Sequence, residues 1–261
     1  MDRVSTLAAE IRAYCAAHAD AKLAGKWARY FTEGYDAWGL LDKNDPFWNQ
    51  KQQEWLERYA EIGLRGFLKL GVLLFPSGKY EEGSLAIRFV KQQLDRFDAE
   101  SIGSLGKWFE AGIGNWAHTD VLCGEVIAPL LTSGRIEPQA LASWRESPHK
   151  YQRRAVPVAL LGLLKTDFPL ASLLEFVRPM MMDGERVVQQ GLGWFLREAW
   201  KKQAKPVEAF LLEWKDTAPR VIFQYATEKM PPAARLRFRR KRGDRRDVPG
   251  KRGDIRDVPR F

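Results

Sequence analysis

The sequence predicts an all-α protein: antiparallel helix pairs stacked side by side into an α-solenoid with a concave face. Three observations predict it. Apolar residues recur at three- and four-residue intervals through most of residues 4–229, which is the spacing of one helix face. No segment alternates apolar and polar residues with the period of two that a half-buried strand needs. Gly, Pro and Asp interrupt the helical pattern every 10–20 residues, and helices of that length joined by short turns pack as antiparallel neighbours. A helical bundle is the competing arrangement.

The first helix spans 4–18, with Leu7, Ile11, Tyr14 and Cys15 on one face, and the second spans 20–32, with Leu23, Trp27, Tyr30 and Phe31. Gly-Tyr-Asp-Ala-Trp-Gly at 34–39 and Asp45-Pro46 mark a connection. Residues 47–75 read as one or two helices (Trp55, Leu56, Tyr59, Ile62, Leu64, Phe67, Leu68), closed by Pro76-Ser77-Gly78. Further helices are expected at 80–96, 99–112, 115–132, 137–146, 148–164, 168–180, 184–202, 204–214 and 218–229. Ser147-Pro148 has the form of a helix start, Ser at the N-cap and Pro at the first helical position. Pro157 inside that helix cannot donate to the carbonyl of Arg153, which predicts a freed carbonyl and a place to kink.

Composition narrows the class. At 261 residues and 45% hydrophobic content, one domain or one continuous repeat array is expected. No run of about 18 apolar residues suggests a membrane span. The first residues open straight into an amphipathic helix and lack the order of a signal peptide. Cys15 and Cys123 are too few for a disulfide framework, and with three histidines they show no zinc-ligand spacing. A cytoplasmic protein without metal or other cofactor is the expectation.

The net charge of +9 belongs mostly to one end. Residues 235–261 hold 12 Lys/Arg against 4 Asp/Glu and so carry +8, leaving +1 for the rest. Two domains follow: a helical repeat domain over 1–234 and a basic, low-complexity tail over 235–261. The tail contains a decapeptide repeat, K-R-G-D-R-R-D-V-P-G at 241–250 and K-R-G-D-I-R-D-V-P-R at 251–260. It has too little apolar surface to offset its ordering entropy and is expected to be disordered. It is either a non-specific phosphate binder or a solvated extension.

The residues with chemical potential lie in three segments. In Trp116–Cys123, helical spacing puts Trp116, Asp120 and Cys123 on one stripe that continues into Ile127. A lone carboxylate among apolar groups is costly unless it is paired, hydrated or used. It is either an interior Asp met by a neighbouring Arg or backbone N–H, or a working group. Tyr151, Arg153 and Arg154 follow the Ser147-Pro148 start, on what is otherwise an ordinary basic face. In Val188–Glu198, glycines 191 and 193 each cost about 1 kcal/mol relative to Ala, so a backbone should approach there: a neighbouring helix, or a nucleic-acid strand beside Trp194. A fourth segment, Pro219–Met230, reads as mostly core, with Arg220 and Lys229 left for phosphates or solvent. No nucleophile elbow, P-loop or zinc-protease motif is present, and Gly112-Ile-Gly114 lacks the third glycine of a dinucleotide site. Glu81 and Glu82 are adjacent, point about 100° apart on a helix, and do not form a carboxylate pair.

Together these segments resemble the AlkC/AlkD-type DNA alkylation repair family, HEAT-like-repeat DNA glycosylases, with the AlkD branch fitting best. The resemblance runs in order through Ser77–Glu82, Asn115–Cys123, Tyr151–Ala155, Gln189–Glu198 and Pro219–Pro231, and covers residues 5–235. It implies a HEAT-like solenoid with Trp116 and Trp194 as cleft tryptophans and Asp120 as the catalytic carboxylate. Arg153 is its cleft arginine, holding a backbone phosphate, with Arg154 the near alternative. Gln190, Gly191, Arg220 and Lys229 are further DNA-binding candidates. Pro157 interrupts a helix that the family usually continues, and Gly39–Pro46 matches poorly.

What the resemblance implies is a monofunctional glycosylase, acting as a monomer without an obligate protein partner, on double-stranded DNA containing alkylated bases. A non-catalytic binder of branched or distorted DNA and a protein-interaction scaffold are the competing readings.

Overall fold

The computed structural model describes residues 2–40 and 46–240. The connection expected through Asp45 and the decapeptide repeat from 241 onward lie outside the described residues.

Short polar side chains start several of the helices, because the first N–H groups of a helix have no partner within it. Asp2 accepts from Ser5 N at the start of α1 (Arg3–Ala17), and Asp20 accepts from Lys22 N and Leu23 N at the start of α2 (Ala21–Ala28). α3 (Pro46–Arg58) and α4 (Gly63–Leu74) follow, so the segment read as one or two helices is two. Gly78, at φ +71°, ends the turn before α5 (Tyr80–Lys91). Asp98 and Ser101 form a reciprocal capping box on α6 (Ala99–Ala111). Asn115 caps α7 (Trp116–Leu122), which runs through a five-residue π-helical stretch, Cys123–Ile127, into α8 (Ala128–Thr132). A 3-10 segment (Pro138–Glu146) leads to α9 (Lys150–Leu160), then α10 (Leu170–Val177) and α11 (Arg186–Lys202). α12 (Ala204–Trp214), α13 (Arg220–Ala226) and α14 (Pro232–Arg235) complete the helices.

From α4 onward these elements alternate between two layers. In one layer α6 packs on α4, the 138–146 segment on α6, α10 on that segment and α12 on α10. In the other, α7 packs on α5, α9 on α7, α11 on α9 and α13 on α11. This is the expected all-α solenoid. The described residues contain no strand, only an isolated bridge between Asp36 and Lys79. Trp55, Phe67, Phe89, Trp108, Phe195 and Phe223 are fully buried in the core, and each such side chain contributes about 2–3 kcal/mol by leaving water.

Two local expectations, the start of α9 and the end of the folded body, are corrected. α9 begins at Lys150, not Pro148: Ser147 Oγ does accept a backbone N–H, but that of His149 (3.1 Å), and it donates to Gln152 Oε1 (2.5 Å). The serine therefore closes a turn ahead of the helix. α9 also runs through Pro157 without a break; Pro157 is buried and packs beside Gly191 of α11. Residues 235–240 belong to the folded body rather than to the tail. Phe238 is buried, its carbonyl accepts from Arg220 Nη1 (2.9 Å), and Arg237 pairs with Glu208. A buried aromatic and the anchored Arg237 and Arg240 hold this end against the body.

Residues 29–40, after α2, form a strap over the ends of α5, α7 and α9. Glu81, at the start of α5, is completely buried and accepts from the backbone N–H groups of Trp38 (2.9 Å), Gly39 (2.7 Å) and Leu40 (2.9 Å). Glu82, equally buried, accepts from Trp38 Nε1 and Arg12 Nε, both at 3.1 Å. The two carboxylates serve different partners, as expected of groups on different faces. Gly34, at φ +67°, lies so close to Gly114 that a Cβ there would meet the Gly114 carbonyl oxygen at 1.9 Å.

Candidate functional site

All three segments singled out in the sequence fall on consecutive helices of one layer, α7, α9 and α11. Arg154 of α9 is bonded to both of the other helices. It donates from Nε to Asp120 Oδ1 (2.9 Å) and from Nη2 to Asp120 Oδ2 (2.8 Å), a two-pronged contact with α7. Its third nitrogen, Nη1, donates to the Val187 carbonyl of α11 (2.8 Å). The Arg154 side chain is 8% exposed and that of Asp120 17%. Burial alone would lower the Arg154 guanidinium, but the facing carboxylate outweighs it and raises the group above its ordinary range. The fork geometry of the pair fixes the direction in which the carboxylate points.

Arg153 takes a different course. Adjacent residues on a helix diverge by about 100°, and Arg153 turns to the start of α11, where it binds Asp183 through Nε (2.6 Å) and Nη2 (3.3 Å). Its Nη1 donates to the Ser147 carbonyl (2.6 Å). Of the two arginines that the resemblance leaves as alternatives for the cleft, Arg154 meets Asp120, and Arg153 ties two connections together.

Trp116 lies one turn before Asp120 on α7 and is half-buried. One face of its ring stacks on Phe31 of the strap, centroids 5.5 Å apart and planes 20° apart, and its Nε1 donates to the Tyr30 carbonyl (3.4 Å). Asn115 secures the same junction: its Oδ1 accepts from His118 N (2.8 Å) and its Nδ2 donates to the Gly34 carbonyl (2.9 Å). Glu33, next along the strap, reaches Lys150 Nζ (2.6 Å) and accepts from the Tyr151 hydroxyl (3.0 Å). Burial, then this carboxylate, raises the Tyr151 phenol.

Trp194 is half-buried against the core on α11, one turn beyond the Gln190–Gly191 pair. Both glycines of that helix answer to helix packing. A Cβ at Gly191 would lie 3.4 Å from Arg154 Cγ of α9, and one at Gly193 would meet the Ile222 carbonyl oxygen of α13 at 2.8 Å. Gln190 donates to the Tyr225 hydroxyl (2.9 Å). Arg220 and Lys229 are exposed at the far end: Arg220 stacks over Phe223, and Lys229 pairs with Glu228 (2.9 Å). Cys123 is buried and donates to the Ala155 carbonyl (3.3 Å). Burial, then the Asp120 charge, raises its thiol well above the ordinary range, which fits a packing role. Sequence reasoning missed Phe31, Glu33 and Asp183, which lie in or beside turns where no periodicity marks a partner.

Among the described residues no group of three or more His, Cys, Asp or Glu could hold a metal ion, and no helix is long and apolar enough to cross a membrane.

A two-layer solenoid that carries a clamped carboxylate and two tryptophans on consecutive helices of one layer defines a helical-repeat protein. The chain belongs to the family described as DNA alkylation repair enzyme, which matches residues 11–230. Its role therefore lies in the repair of alkylated DNA. Among solved structures, the chain is similar to a predicted DNA alkylation repair enzyme from Enterococcus faecalis. The TM-score is 0.61 at 14% identity, over 82% of this chain and 97% of that one, a likeness of fold. No curated protein matches the chain.

Proposed function

We propose that this protein is a monofunctional DNA glycosylase, hydrolysing the N-glycosidic bond of N3- or N7-alkylated purines in duplex DNA and acting as a monomer in the cytoplasm, where DNA is. The observation that carries the reading is the two-pronged Asp120–Arg154 contact. It holds the carboxylate in one orientation, one turn from Trp116.

Alkylation at N3 or N7 makes the purine cationic and a good leaving group, and cleavage passes through an oxocarbenium-like state. A fixed carboxylate stabilises the developing positive charge and can orient the attacking water. Arg154 occupies one acceptor site on each oxygen of Asp120, and a carboxylate offers about four. The faces of Trp116 and Trp194 add cation–π attraction of about 0.5–2 kcal/mol each to a cationic base or sugar. In Trp116 one face is already taken by Phe31, which leaves the other for substrate. No Schiff-base lysine is needed, so no strand cleavage follows base release.

The test is release of 3-methyladenine and 7-methylguanine from methylated duplex DNA under single-turnover conditions. Wild type should release base, and Asp120→Asn should be slower by at least about 100-fold, as expected for loss of a charge acting mainly in the transition state. Equal rates for the two would refute the assignment.

One observation favours a second reading. Both oxygens of Asp120 are engaged by Arg154, as in a purely structural ion pair. On that reading the protein is a non-catalytic binder of branched or distorted DNA, and it would bind junctions tightly without releasing any base.

A further inference from the structure

A helix without a single buried residue stands beside Trp116. None of the residues of α2 is buried, yet the helix is held at both ends. At its start, Asp20 N donates to the Trp38 carbonyl (2.8 Å) of the strap, and the Asp20 side chain is occupied by Lys22 N and Leu23 N. Just past its end, the Tyr30 carbonyl accepts from Trp116 Nε1.

Two stripes run along α2 with helical spacing. Lys22, Lys26 and Arg29 stand at positions i, i+4 and i+7, all exposed; Leu23, Trp27 and Tyr30 form the neighbouring stripe. The stripes interleave: Lys26 Nζ lies 5.7 Å from the Trp27 ring centroid, Arg29 lies over the Tyr30 ring at 5.0 Å, and the two rings are 5.8 Å apart. Arg29 Nη2 also donates to the Tyr30 hydroxyl (3.1 Å). No carboxylate occurs in residues 21–32. Glu33, the next acid along, is taken by Lys150 and Tyr151. Elsewhere many surface cations are matched: Lys51 with Glu54, Lys91 with Glu125, Arg178 with Glu175 and Glu213, Arg197 with Glu198 and Glu228. Among the described residues, Lys22, Lys26 and Arg29 have no acidic partner.

We propose that α2 is a phosphate-binding arm, along which Lys22, Lys26 and Arg29 hold the DNA backbone beside Trp116. The inference rests on the reading of duplex DNA as substrate. Charge complementarity names the occupant: three cations in a row without counter-charge suit a polyanion. The row is about 10 Å long at 1.5 Å per residue, which spans about three phosphates of one strand at about 3.4 Å each along the duplex axis. Trp27 and Tyr30 stiffen the row by packing beneath its cations. The arm reads charge and carries no base specificity.

The experiment compares wild type with the triple variant Lys22→Gln, Lys26→Gln, Arg29→Gln, measuring binding to a labelled unmodified duplex across a salt series. The slope of log K against log salt should be shallower by about 2–3 in the variant, since each phosphate contact adds about 0.9. A second variant, Lys22→Arg with Lys26→Arg, keeps the charges and should keep the wild-type slope. On methylated duplex, the triple variant should need more protein for half-saturation while its rate of base release at saturation stays within about twofold, the pattern of lost uniform binding. An unchanged slope in the triple variant overturns the arm, whether or not base is released. A shallower slope with no base release in wild type supports the arm and instead removes the glycosylase reading. Binding of the stripe to anionic vesicles with no effect on the duplex slope would assign it to a membrane surface and overturn the proposal.

Discussion

Arg154 bridges three consecutive helices of one layer, forking onto both oxygens of Asp120 on α7 while its third nitrogen binds the Val187 carbonyl of α11. The bond to Val187 fixes the arginine from behind, so the carboxylate is aimed by a group that is itself anchored. The Arg154 stem packs against α11 at Gly191, where even an added Cβ would be in ordinary contact at 3.4 Å. The neighbouring Arg153 is bonded as fully, yet to Asp183 and the Ser147 carbonyl, so adjacent arginines on one helix serve separate ends.

The two arginines should respond oppositely to the same change. Arg154→Lys replaces a planar fork with a single point charge, and base release should fall by about 10-fold or more. Arg153→Lys should leave release nearly intact and lower stability by about 1–2 kcal/mol, because a partly buried pair is weakened without being emptied. Single-turnover release and urea unfolding of both variants check this. Equal loss of activity in the two would mean that the Asp120 contact has no special place in the reaction.

Periodicity made the layers legible, since apolar stripes survive in nearly every helix of the solenoid. It also put Trp116, Asp120 and Cys123 on one stripe correctly. It could not decide between Arg153 and Arg154, because the deciding partner, Asp183, sits in a turn before α11. The strap was illegible for a related reason. Glu81 and Glu82 look like any acidic first turn, and only the fold shows three backbone N–H groups converging on one of them. The end of the body was drawn too early because charge dominated the reading of 235–240, while the single anchor, Phe238, is one aromatic among arginines.

Glu81 should be the residue on which the strap depends. A buried carboxylate that accepts three backbone N–H groups cannot be replaced by an amide, which offers one oxygen and presents donors to donors. Glu81→Gln should cost about 2–4 kcal/mol and make residues 30–40 the first site of limited proteolysis. Base release should fall with it, since Phe31 then no longer holds the Trp116 ring. If the variant unfolds at the wild-type urea midpoint, the strap is held by something else.

The glycines of α11 should separate sharply. A Cβ at Gly193 would meet Tyr225 Cβ at 2.5 Å and the Ile222 carbonyl oxygen at 2.8 Å, and the second of these is backbone that cannot move aside cheaply. Gly193→Ala should therefore cost about 1–3 kcal/mol despite the better helix propensity of alanine. At Gly191 every neighbour is at 3.4 Å or beyond, ordinary contact, so Gly191→Ala should be neutral or stabilising by up to about 1 kcal/mol. Thermal or urea unfolding distinguishes the two, and equal stability of both variants would contradict the close approach of α13.

His118 should set the pH dependence of stability on the acid side. Its ring is buried, Nε2 donates to the Tyr80 carbonyl (2.9 Å), Nδ1 accepts from Asn115 Nδ2 (3.1 Å), and it stacks on Tyr80 at 4.4 Å. Burial pushes its pKa down to about 4 from an ordinary 6.5. The folded protein thus holds the ring neutral while the unfolded chain takes up a proton below pH 6.5. Stability is fully present above that value and is lost as pH falls toward 4, by about 3 kcal/mol in all. Glu33, Glu198, Glu208 and Glu228, all lowered from 4.5, contribute stability that is lost as pH falls below 4.5, so the window between 6.5 and 4.5 isolates the histidine. In that window the urea midpoint of wild type should fall steadily, and His118→Gln, less stable at pH 7, should show a flatter profile. A wild-type profile that stays level from 6.5 to 4.5 would show that the ring takes up its proton in the folded state, with the Asn115 cap and the start of α7 rearranged around it.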